Sequence, residues 1–169
     1  MPELPPLLPD ETLRRVLRLA RLDGLSVLAV AGLFAVLTAL AGDVVGAVIG
    51  LLVAGAGAIE LHGASLLREG EPRGMNWLVG SQLFLLVTVL GYCALRLLHP
   101  ELGPLRAAVT EEMKTSLELA DYTPDEFIRM VYNLTYAIFA LVTFFYQGGM
   151  AIYYHRRRDP VAQALADEV

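Results

Sequence analysis

Residues 44–67 read VVGAVIGLLVAGAGAIELHGASLL, and how this run is read decides the fold. It is built almost entirely of small and apolar side chains, and it exceeds the ~20 residues needed to cross a hydrocarbon core of about 30 Å. Gly46, Gly50, Val53, Gly57, Glu60 and Ala64 recur at alternating spacings of four and three, which places them on one face of a helix packed with left-handed geometry. Small residues on such a face let another backbone approach closely, so the stripe is expected against protein rather than lipid, within the chain or across a homo-oligomer interface. Glu60 continues that stripe. His62 lies about 200° around the helix from it, so the two need separate partners. The glycines of GAGAIELHG are not a nucleotide fingerprint, because no strand precedes them.

The rest of the chain agrees with a lipid environment. Hydrophobic residues make up 56% of the 169 and mean hydropathy is +0.54, more than a soluble domain of this size carries. Besides 44–67, apolar segments occupy about 25–41, 76–98 and 127–154. The expected fold is an all-α integral membrane protein, a four-transmembrane-helix bundle with an N-terminal amphipathic helix. Residues 1–24 form a Pro-rich tail and a basic amphipathic helix, 25–158 the membrane domain with an external loop at 99–126, and 159–169 a tail. Asp23 and Asp43 stand where they can cap the first two spans, and Thr123–Pro124–Asp125–Glu126 has the form of a capping box.

Orientation follows from basic residues beside the spans. Arg14, Arg15, Arg18, Arg21, Arg68, Arg73, Arg156, Arg157 and Arg158 all fall on one side. Arg96, Arg106, Lys114 and Arg129 fall on the other, among the acids of residues 99–128. Both termini are therefore expected in the cytoplasm. Lys114 is the only lysine among 13 basic residues, a bias that points to a GC-rich bacterial genome and hence to the inner membrane. In DETLRRVLRLARLDG, Leu13, Val16, Leu17 and Ala20 share one helical face and Arg14, Arg18 and Arg21 another, so this helix is expected on the cytoplasmic leaflet against anionic headgroups. The net charge of −5 and the absence of a basic binding motif speak against nucleic acid.

Candidate chemistry is confined to polar side chains within the spans. Counted from the flanking arginines at about 1.5 Å per residue, Glu60, Gln82 and Gln147 lie at a common depth. Asn133, Tyr136, Thr143 and Gln147 follow a three/four spacing on one face of the last span, and Tyr92 with Asn133 marks a second layer nearer the outside. These residues are either helix-packing hydrogen bonds or a polar pathway; an intramembrane carboxylate is costly and raises a functional hypothesis by default. One cysteine, Cys93, rules out an intrachain disulfide, and His62 has no second His or Cys at ligand spacing, so neither metal nor cofactor is expected. No P-loop, Gly-x-Ser-x-Gly or His-Glu-x-x-His motif occurs. The leading expectation is a non-catalytic accessory or scaffold membrane protein, and the alternative is an oligomeric channel or proton-linked transporter using the Glu/Gln layer.

Overall fold

The computed structural model describes residues 8–119 and 121–167; the Pro-rich stretch at 1–7 and the last two residues of the tail lie outside them. All regular structure among the described residues is helical: α1 Pro9–Leu40, α2 Val44–Arg68, α3 Gly74–Leu98, α4 Gly103–Ala107, α5 Glu111–Leu119, α6 Pro124–Arg156 and α7 Arg158–Asp167. Helices α1, α2, α3 and α6 are long and apolar enough to cross a membrane. Two compact units result, Met1–Thr88 with Phe145–Val169 and, separately, Val89–Phe144.

Helix α1 departs from expectation. The amphipathic segment and the first apolar segment form one helix of 32 residues, about 48 Å at 1.5 Å per residue. Asp23 is therefore not a cap but an interior residue. Its neighbour Gly24 is no breaker here, since the positive-φ residues are Gly42, Gly70 and Asp121. The buried face Leu13, Val16 and Ala20 runs on through Asp23 and Gly24 to Ala31 and Ala35 without losing register.

The C-terminal tail also differs, because most of it is α7. Val161, Ala164 and Leu165 are buried, and they join Leu13, Val16, Ala20, Leu67, Leu78 and Tyr154 in one apolar cluster. The apolar stripe at the start of α1 is consequently covered by protein instead of facing a leaflet. A contiguous cluster of this kind is what gives a helix end stability that propensity alone does not supply.

Helices α1 and α2 meet through the glycine stripe, joined by a turn in which Gly42 takes φ 79°, a left-handed conformation that L side chains rarely adopt. Asp43 caps α2 as expected, accepting from the Gly46 amide at 2.9 Å. A Cβ at Gly50 would stand 2.9 Å from the Ala35 amide nitrogen, and one at Gly57 would stand 2.7 Å from the Gly24 carbonyl oxygen. At Gly50 and Gly57 the stripe is packed against α1 of the same chain. Gly63 and Gly74 bring α2 and α3 together in the same way, with a Gly63 Cβ 3.0 Å from the Gly74 carbonyl.

In the second unit, the capping box of α6 forms: the Glu126 amide donates to Thr123 Oγ1 at 3.3 Å, while Thr123 donates through its amide and its hydroxyl to Glu126 Oε2 at 3.2 and 2.7 Å. The loop before it contains the short helices α4 and α5. Leu102, Ile128 and Tyr132 make a small apolar cluster with Val109 and Tyr136 against it.

Candidate functional site

Within the first unit, four helices each bring a polar side chain into the same buried cluster. Asp23 comes from α1, Glu60 from α2, Gln82 from α3, and Tyr146 and Tyr154 from α6. Glu60 is 1% exposed and Gln82 and Tyr154 are fully buried. The amide of Gln82 bridges the two carboxyls, its Nε2 donating to Asp23 Oδ2 at 3.0 Å and to Glu60 Oε2 at 2.9 Å. The Tyr154 hydroxyl donates to Glu60 Oε1 at 2.8 Å, and the Tyr146 hydroxyl donates to Asp23 Oδ1 at 2.9 Å. Each of the four carboxyl oxygens thus accepts one hydrogen bond.

Local packing explains how two acids come to share one amide. Gly24 adjoins Asp23, and Gly57 is one turn before Glu60; the two glycines face each other, with a Gly24 Cβ only 3.1 Å from the Gly57 carbonyl. Close backbone approach beside the acids is what lets two short side chains reach the same donor. All of the bonded donors are neutral. An amide and two phenols satisfy hydrogen-bonding capacity but do not supply the counter-charge of an arginine. Gln82 Oε1 is itself buried with no partner, as is Gln147 Oε1.

The residues singled out from sequence fall in different places. Glu60 and Gln82 are directly bonded. Gln147 is 7% exposed and Thr143 8% exposed, both inside their helix's buried face. His62 is exposed and sits edge-on to Trp77, with ring centroids 5.3 Å apart, separate from Glu60. Tyr92 and Tyr136 meet in the second unit at 6.0 Å, where the Arg96 Nε donates to the Tyr92 hydroxyl at 3.1 Å and Arg96 pairs with Glu101. Asn133 does not join them. It is exposed, and Tyr132 takes the inward position, its hydroxyl donating to the Arg96 carbonyl at 3.1 Å. The inward face of α6 runs 132, 136, 143, 147, 154, and Asn133 is about 100° off it. Of the basic residues, Arg18 lines a cavity with Arg15 and Arg157, Arg14 lines an adjoining one, and Arg21 lies apart from both.

Two members of the central cluster, Asp23 and Tyr146, escape a reading by segments. Asp23 passes for a cap because it precedes an apolar run, yet extending the Leu13–Val16–Ala20 spacing by three residues reaches it. Tyr154 stands on the three/four spacing of the last span, seven residues, two turns, beyond Gln147 on the same face. Tyr146 shows no periodic signal, being half-exposed with only its hydroxyl reaching inward. Comparison with protein-family models, curated proteins and solved structures finds no match to this chain.

Proposed function

We propose that this chain is a non-catalytic accessory or scaffold protein of a bacterial inner membrane, a four-span bundle with both termini in the cytoplasm. The observation that supports it is the hydrogen bonding of the central cluster: Asp23, Glu60, Gln82 and the Tyr146 and Tyr154 hydroxyls bond to one another across four helices. Buried polar side chains joined in this way fix the register of helices that apolar packing alone leaves free to slide, which suits a rigid platform for a partner. The surface it offers in the bilayer is that of the exposed apolar side chains of the four long helices.

A second reading is an oligomeric channel or proton-linked transporter. It is favoured by one feature, the meeting of two carboxyls with neutral donors only, since intramembrane acids line many proton routes. Purified protein in sealed vesicles separates the two. The scaffold reading expects no flux of protons or common ions above empty vesicles, and cysteines placed at 60, 82, 143 or 147 in a Cys93→Ser background to resist a membrane-impermeant thiol reagent. Proton uptake by wild type that Glu60→Gln abolishes would establish transport instead.

Topology is tested separately. Reporters at the C-terminus and in the Glu69–Arg73 loop should both read cytoplasm, and one inserted beside Lys114 should read the exterior, as the arginine asymmetry requires. A cytoplasmic signal at Lys114 would overturn the proposed orientation.

A further inference from the structure

The arginines at the start of α1 and the end of α6 enclose a cavity that the central cluster leaves unexplained. Its volume is about 470 Å³, and its walls are Arg15, Arg18, Leu19, Leu22, Tyr153 and Arg157. Three arginine side chains and three apolar or aromatic side chains therefore share one concave surface, and its wall is almost wholly apolar, so it is the arginine stems that line it beside Leu19, Leu22 and Tyr153. Among the described residues, none of these three arginines is held in an ion pair; the Arg157 guanidinium instead lies over the Tyr153 ring, 5.3 Å from its centroid. The Tyr153 hydroxyl is buried without a hydrogen-bond partner among the described residues. An adjoining cavity shares Arg15 and Arg18 and adds Arg14 and one carboxylate, Glu11.

The polarity of the cavity is graded along α1. Arg15 and Arg18 stand toward the helix N-terminus, and Leu22, 63% exposed, stands toward the apolar stretch that continues through exposed Leu25 and Leu28. A ligand that matches this gradient carries a negative group at one end and hydrocarbon at the other. We infer that this cavity is a binding site for an anionic phospholipid, with the phosphodiester held by Arg15, Arg18 and Arg157 and an acyl chain laid along Leu19 and Leu22.

Charge and shape both contribute. Arginine presents a planar fork of donors suited to phosphate oxygens, and three arginines whose stems line one apolar cavity can bring those forks to a phosphate at its edge while the stems pack on hydrocarbon. Stacking on Tyr153 holds Arg157 in place and lowers the ordering cost of binding. Glu11 keeps the adjoining cavity less favourable for a second anion, so the headgroup is directed to the first. The site joins α1 to α6, so an occupied lipid acts as a clamp between the two. The inference rests on the four long helices spanning a bilayer, and is independent of whether the central cluster supports a scaffold or a transporter.

The test uses the full-length protein in detergent and in phosphatidylcholine vesicles. Flotation with phosphatidylcholine vesicles comes first and tests only membrane insertion: failure there removes the membrane reading itself. With insertion secured, lipid retained through purification is measured from equal mixtures of phosphatidylglycerol and phosphatidylcholine. A basic residue near an anionic surface contributes about fivefold in binding, so the wild type should prefer phosphatidylglycerol by about tenfold or more. Arg15→Gln/Arg18→Gln/Arg157→Gln should reduce that preference to about twofold. Arg21→Gln/Arg68→Gln/Arg156→Gln, which removes the same charge from outside the cavity, should retain it. Equal loss in the two triple variants would reduce the effect to net charge and overturn the site, as would absence of preference in wild type. Inorganic phosphate at millimolar concentration should not displace the lipid or raise the melting temperature as phosphatidylglycerol does; if it does both, the cavity is a free-phosphate site and the lipid assignment falls.

Discussion

Gly57→Ala is expected to destabilise the protein markedly, although it adds a single methyl group and improves helix propensity. The added Cβ would stand 2.7 Å from the Gly24 carbonyl oxygen and 2.8 Å from the Leu28 amide nitrogen, both backbone atoms that no side-chain rotation can move aside. Helix α1 must then shift away from α2, loosening Ala35 against Gly50 and pulling Asp23 from the amide it shares with Glu60. Overpacking of a core typically costs about 1–3 kcal/mol, and a clash against backbone at the closest point of a helix pair belongs at the upper end. Gly55 supplies the internal control. It lies on the same helix two residues earlier, and a Cβ there meets nothing within 4 Å. Gly55→Ala should be neutral or mildly stabilising, by up to ~1 kcal/mol through propensity. The thermal midpoint in detergent should therefore fall for Gly57→Ala and hold or rise for Gly55→Ala. Equal midpoints for the two would mean that α1 does not sit on the glycine stripe.

The same stripe shows how much of the architecture is legible in the sequence. Length and apolarity mark four helices able to span a membrane, and the three/four alternation of Gly46, Gly50, Gly57 and Glu60 marks the packed face, because close backbone contact requires small residues at helical spacing. What covers that face is not legible. A stripe of glycines fits a neighbour in the same chain or in another copy equally well, and only the register of α1 resolves it. The boundary errors share one physical cause. An Asp–Gly pair beside an apolar run is also what a helix start looks like, and neither residue prevents a helix from continuing when tertiary contacts hold Asp23 and Gly24 in its interior.

The candidate site is legible to the same partial degree. Glu60 and Gln82 stand at one depth by counting from arginines, and a 2.9 Å bond joins them. Asp23 is reached only when α1 is read as unbroken, and a three/four spacing that starts at Asn133 is one residue out of register with the buried Tyr132. Helix α7 was hidden by its charged surroundings, although Val161, Ala164 and Leu165 carry the three/four spacing of a buried edge.

Glu60→Leu should be the most damaging single change in the central cluster, and its cost should depend on what is left behind. Leucine cannot accept a hydrogen bond, so the Tyr154 hydroxyl and one N–H of the Gln82 amide lose their partners inside a fully buried cluster. Each orphaned buried donor costs about 1–3 kcal/mol. Tyr154→Phe alone makes the complementary error, leaving Glu60 Oε1 without a donor. The double variant Glu60→Leu/Tyr154→Phe removes both ends of that bond and leaves only the Gln82 N–H unpaired. It should therefore be less destabilised than the sum of the single variants by about 1–2 kcal/mol, a coupling within the range for directly bonded residues. Glu60→Gln completes the comparison. It keeps an oxygen to accept from Tyr154, and although the Gln82 N–H loses its Oε2 acceptor, the new amide N–H can turn to the unpartnered Gln82 Oε1, so one bond replaces another and stability should remain within about 1–2 kcal/mol of wild type. Additive costs in the cycle, measured by detergent unfolding, would mean that Glu60 and Tyr154 act separately, and a loss from Glu60→Gln as large as from Glu60→Leu would show that the negative charge of Glu60, rather than its hydrogen bonding, holds the four helices together.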